Sequence, residues 1–169
     1  MAAQFVFFLL ATVAVASAIA VLVARNPVTS ALWLVLNLFC IAGLYLTLNA
    51  SFIGVIQILV YAGAIMVLFL FVIMLLNLQA LPRLKELDWT KVLAFILGMG
   101  VLAQLVYVVA TRLNVPIEPV SPAQAADTGS AEVLAKELFT RYAIHLEMAG
   151  ILLLAATIGA VMLAKRRFE

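Results

Sequence analysis

With 169 residues, the chain has the length of one ordinary soluble domain, but 67% of its residues are hydrophobic and only 11% are charged. Its mean hydropathy of +1.25 excludes a water-soluble globular protein, because a soluble fold of this size cannot cover so much apolar surface. The formal charge of +2 is too small to indicate binding to nucleic acid. No charged residue precedes Arg25, and none lies between Arg25 and Arg83, so lipid is the expected solvent.

The apolar runs predict an all-α, polytopic membrane protein with five transmembrane helices and a single membrane domain. A helix needs about 20 apolar residues to cross the hydrocarbon core of a bilayer. Five runs meet this requirement, and the predicted spans cover approximately residues 3–24, 29–48, 52–77, 91–111 and 141–164.

The first span ends at Arg25-Asn26-Pro27, where proline tolerates the start of a helix but not its interior. Ala16-Ser17-Ala18 is similar to a signal-peptide cleavage site, but the basic amino-terminal region of such a peptide is missing. We therefore expect the first span to be retained. The second span ends at Asn49-Ala50-Ser51, so spans two and three are predicted to form a tight hairpin.

The third span carries polar and small residues near its middle. Gln57 and Tyr61 are four residues apart and share a face, which must meet protein or water because lipid offers no hydrogen bonds. Gly63 follows, flanked by Ala62 and Ala64. A glycine within a helix costs about 1 kcal/mol relative to alanine. It indicates either close helix packing or an irregular backbone, and the residues alone leave both open.

Beyond the third span, Pro82 and the charged run from Arg83 to Lys91 end the helix. Residues 112–137 contain several prolines and polar residues and are predicted to form a solvated loop. Within and just beyond it, residues 131–140 are expected to make one or two amphipathic turns on the membrane surface.

Spans four and five carry small residues that favour close contact with other helices. Span four contains Gly98 and Gly100, and span five contains Ala155 and Gly159 four residues apart. This spacing lets helix backbones approach closely, although the pattern is common.

A search for chemistry in the sequence predicts no catalytic, cofactor-binding or metal-binding residue. Cys40 is the single cysteine and His145 the single histidine, so neither a disulfide nor a thiolate metal site can be built. Glu147 is the one carboxylate clearly within a span, about 10 Å from its predicted start. An ionisable group at that depth is a functional hypothesis by default. It contributes either to a proton path or to helix packing.

Basic residues predict the orientation, because cytoplasmic loops are enriched in lysine and arginine. Seven lie on one side of the five predicted spans and three on the other. The seven are Arg25, Arg83, Lys85, Lys91, Lys165, Arg166 and Arg167, and the three are Arg112, Lys136 and Arg141. We therefore expect the amino terminus outside and the carboxyl terminus in the cytoplasm.

The third span also carries a specific family resemblance. The residues concerned are Val60-Tyr61-Ala62-Gly63-Ala64-Ile65-Met66-Val67-Leu68-Phe69 and the run from Phe71 to Asn77. With Arg25-Asn26-Pro27-Val28 and the surroundings of Glu147, they resemble subunit J of bacterial NADH-quinone oxidoreductase, or respiratory complex I. The mitochondrial counterpart of that family is the sixth core membrane subunit. The resemblance covers essentially the whole chain.

This resemblance implies a core membrane subunit that helps couple quinone reduction to proton translocation in the bacterial cytoplasmic membrane. It implies that NADH, FMN and iron-sulfur clusters bind to partner chains, that quinone binds nearby, and that other membrane-arm subunits are the partners. In the family, the segment from Tyr61 to Gly63 can hold a π-bulge that forms and relaxes. Some relatives carry glutamate where this chain has Gln57.

Other functions remain open at this point. A small stand-alone transporter or channel normally needs several ionisable groups along its path, whereas this chain offers Glu147 and scattered neutral polar residues. A subunit of a related hydrogenase or cation antiporter complex, or a purely structural assembly protein, would also fit the residues.

Overall fold

The computed structural model describes residues 2–76, 89–112 and 121–165. Seven helices occupy these ranges: α1 (Ala2–Val23), α2 (Pro27–Thr47), α3 (Ser51–Leu75), α4 (Trp89–Arg112), α5 (Pro122–Thr128), α6 (Ala131–Thr140) and α7 (Ala143–Ala164). All but the short α5 and α6 are long and apolar enough to cross a membrane. The prediction of an all-α, multi-pass membrane protein with five spans is confirmed, and the predicted ends lie within two residues of those observed.

Helices α1 and α2 form a closely packed hairpin. Asn26 ends the connection between them, because its side chain accepts a hydrogen bond from the Val28 backbone N–H at 2.9 Å, and Pro27 opens α2. Ser30 Oγ donates to the Val21 carbonyl at 2.7 Å. Near the other end, a Cβ at Gly43 would lie 2.9 Å from a methyl carbon of Leu10, so only glycine fits without displacing that side chain.

A polar contact fixes the same hairpin near its middle. The Asn37 side chain on α2 donates from Nδ2 to the Ala14 carbonyl of α1 at 2.7 Å and lies 3.2 Å from Ser17 Oγ. Ser17 is 1% exposed and donates to the same carbonyl at 2.9 Å. Hydrogen bonds of this kind between transmembrane helices typically contribute about 0.6 kcal/mol each. They also fix which residues of the two helices lie opposite each other.

Helix α3 returns antiparallel along α2 after a three-residue turn. Asn49 in this turn has φ of 60°, a left-handed conformation that asparagine tolerates better than most residues. The backbones come close where Gly54 of α3 meets α2, since a Cβ at Gly54 would be 3.2 Å from the Ala42 carbonyl oxygen. The predicted hairpin of spans two and three is therefore present.

The buried apolar core lies between α2 and the second half of α3. Ala31, Met66 and Ile73 are its buried members, and Leu34, Val35, Leu38 and Leu70 pack against them. This end of α3 is held by interlocking side chains, whereas the end that begins at Ser51 is held by close backbone contact.

Helices α4 and α7 differ from the other spans in how little of them is covered. No residue in the apolar stretch of either helix is buried by the described part of the chain. A Cβ built at Gly98 or Gly100 of α4, or at Gly150 or Gly159 of α7, would meet no atom within 4 Å. The close neighbours that these small residues favour do not come from the described residues of this chain.

The segment between α4 and α7 is more ordered than the sequence prediction suggested. Helix α5 occupies part of the predicted solvated loop of residues 112–137, and α6 coincides with residues 131–140, where the sequence predicts amphipathic turns. The Ser121 side chain caps α5 reciprocally with Gln124, and the Ser130 side chain accepts from the Val133 backbone N–H to cap α6. Residues 113–120 of the predicted loop, and residues 77–88 after the third span, lie outside the described residues.

Candidate functional site

The middle of α3 is a π-helix over nine residues, Gln57–Ile65, between two α-helical parts, Ser51–Ile56 and Met66–Leu75. In a π-helix each backbone N–H bonds to the carbonyl five residues earlier instead of four. At the end of the segment the Met66 N–H still reaches the Tyr61 carbonyl. This is the segment in which the family resemblance implies a π-bulge. Such segments are rare and occur frequently at functional sites.

Gly63 lies within this π-helix, and its surroundings bear on the two explanations left open by the sequence. A Cβ built on Gly63 would lie 3.2 Å from the Ile58 carbonyl oxygen, which belongs to the same helix, and it would meet no other such atom within 4 Å. No neighbouring helix of the described chain therefore requires a glycine here. The close contact is with the carbonyl five residues earlier, the one that a π-helical hydrogen bond uses.

The two alanines beside Gly63 have different environments. Ala62 is 7% exposed and belongs to the part of α3 that lies against α2, whereas Ala64 is exposed. Residues 62 and 64 thus mark the covered and the open side of the π-helix.

The two polar side chains of the π-helix, Gln57 and Tyr61, differ in exposure. Gln57 is half-buried, and Tyr61 is 50% exposed on the open side. Among the hydrogen bonds of the described residues, neither side chain has a partner within the chain. Since lipid offers no hydrogen bonds, we expect these two side chains to be hydrogen-bonded by protein or water outside the described residues.

Glu147 lies on α7, far along the chain from the π-helix. It is four residues beyond Ala143, where α7 begins, which puts it only about 6 Å along the axis from the start of the helix. This is shallower than the sequence prediction of about 10 Å, because Arg141 and Tyr142 form a turn. Glu147 is exposed and forms no hydrogen bond or ion pair with any residue in the described ranges. Its neighbour His145 stacks edge-on against Tyr142, with ring centroids 5.7 Å apart.

Sequence reasoning missed two interactions at the ends and middle of the spans. One is the Asn37 contact with α1, for which the signal was an amide within an otherwise apolar run. The other brings Gly129 against the turn between α2 and α3, where the Phe52 N–H donates to the Gly129 carbonyl at 3.3 Å. No local pattern relates residues so far apart in sequence.

No group of three His, Cys, Asp or Glu side chains close enough to hold a metal ion occurs in residues 2–76, 89–112 and 121–165. Cys40 is buried between apolar neighbours as a free thiol. The π-helix thus offers an amide, a phenol and an irregular backbone.

Comparison with known proteins decides the family. The family model described as NADH-ubiquinone/plastoquinone oxidoreductase chain 6 matches residues 17–163, nearly the whole chain. The chain belongs to this family. The resemblance inferred from the sequence is confirmed.

Individual relatives agree over almost the whole length. NADH-quinone oxidoreductase subunit J of Escherichia coli is 35% identical, with 93% of this chain and 84% of the relative covered. The subunit of the same name from Rhodobacter capsulatus is 34% identical over 96% of this chain and 81% of its own length. F(420)H(2) dehydrogenase subunit J of Methanosarcina mazei is 39% identical, with coverages of 95% and 89%. The family thus includes assemblies named for different electron donors.

Proposed function

We propose that this chain is a core membrane subunit of a proton-pumping NADH:quinone oxidoreductase, in which α3 helps couple quinone reduction to proton translocation. Membership of the family over residues 17–163 supports the assignment to such a complex. The observation that carries the coupling role is the π-helix over Gln57–Ile65, in the middle of a membrane span.

The π-helix can act as a two-state element. When the π-helix relaxes to an α-helix, each turn of the segment contains fewer residues. Each backbone N–H then bonds to the carbonyl four residues earlier instead of five. Since one residue of an α-helix corresponds to about 100° of rotation, one part of α3 turns relative to the other. Glycine at residue 63 avoids one close contact in the π-helical state, because a Cβ there would lie 3.2 Å from the Ile58 carbonyl oxygen. Tyr61 and Gln57 lie on the moving segment, so the change alters what these polar groups meet.

Partner chains are required for the rest of the reaction. We propose that NADH, FMN and the iron-sulfur clusters bind to partner subunits, that quinone binds nearby, and that this chain is itself non-catalytic. The uncovered faces of α4 and α7 support packing against other membrane-arm subunits, because their glycines meet nothing in the described chain. Glu147 on α7 would then be hydrogen-bonded by a partner chain, as a packing residue or as a step in a proton path.

We further propose that the amino terminus lies outside and the carboxyl terminus lies in the cytoplasm, with the chain in the bacterial cytoplasmic membrane. The distribution of basic residues supports this orientation. The contact of Gly129 with the α2–α3 turn is in agreement with the implied topology, because both segments are then outside.

The electron donor has one alternative with specific support. The relative named F(420)H(2) dehydrogenase subunit J is 39% identical to this chain, so a complex that oxidises F(420)H(2) is the second candidate. The membrane subunit would be used in the same way in both complexes, since the donor is oxidised by other chains.

Purification of the tagged chain in mild detergent tests the proposal. Mass analysis of the co-purifying proteins should identify membrane-arm subunits and flavin- and iron-sulfur-containing chains, and the preparation should reduce quinone with NADH. Activity with reduced F420 but not with NADH would favour the second candidate. Recovery as a lone stable monomer would contradict both.

A further inference from the structure

The segment that joins α5 to α6 makes a close backbone contact with the start of α3. The Gly129 carbonyl accepts hydrogen bonds from the Phe52 backbone N–H and from Ser51 Oγ, each at 3.3 Å. These residues are more than 70 positions apart in sequence. The contact therefore ties the connection between the last two spans to the first turn of the π-helical span.

This contact provides a hydrogen-bond acceptor that α3 lacks locally. The first backbone N–H groups of a helix have no partner within the helix, and a side chain at the N-cap usually accepts from one of them. The N-cap of α3 is Ala50, which has no side-chain acceptor, and no side-chain cap is formed. The Gly129 carbonyl takes that role for Phe52.

A glycine is required at residue 129 only because of this contact. A Cβ built there would overlap the Asn49 carbonyl oxygen and would lie 3.1 Å from Ala50 Cα. The backbone of Gly129 has φ of −83° and ψ of 1°, which any residue can adopt, so alanine would not strain α5 or the link to α6. A substitution of Gly129 should therefore disrupt its contact with the turn between α2 and α3 without disrupting α5 or the link to α6.

Both sides of the contact are held in place by short-range hydrogen bonds. Gly129 ends α5 through a 3.0 Å bond from its N–H to the Ala125 carbonyl, and Ser130 caps α6. On the other side, Asn49 in the left-handed conformation turns the chain so that its carbonyl faces residue 129.

We propose that the α5–α6 link is a clamp that holds the Ser51 end of α3 fixed while the π-helix changes state. The clamp rests on the proposed coupling function of α3. Phe52 is five residues, about 7.5 Å along the axis, from the beginning of the π-helix at Gln57. Between them, Gly54 is pressed against the backbone of α2. With this end fixed from two sides, the rotation that accompanies relaxation of the π-helix is directed to the Met66–Leu75 part. Without the clamp, part of the rotation would be lost in movement of the Ser51 end.

Hydrogen exchange in the purified complex tests whether the clamp exists. Gly129→Ala should accelerate amide exchange in the peptide covering residues 50–56 about tenfold, because the acceptor for Phe52 is displaced. Ser51→Ala removes one of the two donors to Gly129 and should give a smaller increase, about twofold to threefold. Ala126→Val, at an exposed position of α5, is the matched control and should leave exchange in this peptide unchanged.

Proton pumping per electron pair tests the role of the clamp in the same preparations. Gly129→Ala should lower the number of protons pumped for each NADH oxidised while leaving NADH-driven quinone reduction nearly unchanged, and Ala126→Val should alter neither. Unchanged amide exchange in Gly129→Ala would show that the contact does not exist. Faster exchange with a wild-type ratio of protons pumped per electron pair would show that the contact has no role in coupling. If Gly129→Ala failed to assemble, Ser51→Ala would decide both points by the same two measurements. Absence of the wild-type chain from any redox complex would instead overturn the proposed function, and exchange in the purified chain would still decide the contact.

Discussion

Substitution of Gly63 tests the two-state behaviour of α3 most directly. A Cβ on this residue would lie 3.2 Å from the Ile58 carbonyl oxygen in the π-helical state, closer than the 3.4 Å at which ordinary van der Waals contacts begin. The carbonyl that it crowds is five residues earlier, and this spacing is specific to the π-helical hydrogen bonds. A side chain at residue 63 must displace this carbonyl by a few tenths of an ångström, and we expect that displacement to disfavour the π-helix relative to the α-helix.

The size of the substituted side chain determines how strongly the free energy of the π-helical state is raised relative to the α-helical state. For Gly63→Ala, a shift of a few tenths of an ångström relieves the contact, and we expect a bias of about 1 kcal/mol, the lower end of the cost of overfilling a packed position. That bias changes the ratio of the two states about fivefold. For Gly63→Val, the two methyl groups have a restricted rotamer in a helix, and a bias of about 2 kcal/mol changes the ratio about thirtyfold.

The assay is NADH-driven quinone reduction and proton pumping in membranes, normalised to assembled complex. Coupled turnover should fall to less than half in Gly63→Val and by a smaller fraction in Gly63→Ala. Leu59→Val places a β-branched residue at an exposed position of the same π-helix and serves as the control for β-branching. Wild-type turnover in Gly63→Val would refute the two-state interpretation and leave Gly63 without a role in coupling.

Three further predictions concern topology, the intramembrane carboxylate and the hairpin of α1 and α2. Cysteines introduced at Ala126 and at Lys165, both exposed, should react with an impermeant thiol reagent from opposite sides of the membrane, and labelling from one side would contradict five crossings. Glu147→Gln should assemble and keep most quinone reductase activity, because an amide can replace a protonated carboxyl in hydrogen bonding; loss of pumping alone would favour a proton path. Asn37→Ala should lower the free energy of unfolding of the purified complex by about 1 kcal/mol, since two hydrogen bonds to α1 of about 0.6 kcal/mol each are lost. An unchanged melting profile would show that these bonds contribute nothing.

The spans and the first hairpins could be predicted from the sequence because their causes are local. Uncharged runs of about 20 residues require a membrane, and Asn26-Pro27 and Asn49-Ala50 are chemically suited to the turns where they occur. The helix α5 could also have been found, since Ser121, Pro122 and Gln124 form a capping box with proline at the first helical position. The prolines at residues 116, 119 and 122 instead favoured the prediction of a loop.

The backbone state of the third span could not be read from its residues. Gly63 permits both an α-helix and a π-helix, and the same apolar side chains serve both, so only the resemblance to a family indicated the irregular segment. The roles of Gln57, Tyr61, Ala62 and Ala64 in coupling remain predictions. The contact between Gly129 and Asn49 escaped prediction for another reason, because it depends on the relative placement of helices that are distant in the sequence.

The uneven burial of the five spans has a consequence for how the subunit is made. Helices α1, α2 and α3 emerge first from the ribosome and find one another within the chain, through Asn37, Gly54 and the core around Met66. Helices α4 and α7 emerge later and have almost nothing of their own chain to pack on in the described structure. In a cell that makes this subunit in excess, the faces of α4 and α7 that the described residues leave uncovered would lack partner subunits, and we expect membrane proteases to degrade the surplus chain. The amount of this subunit in the membrane would then follow the supply of its partner subunits.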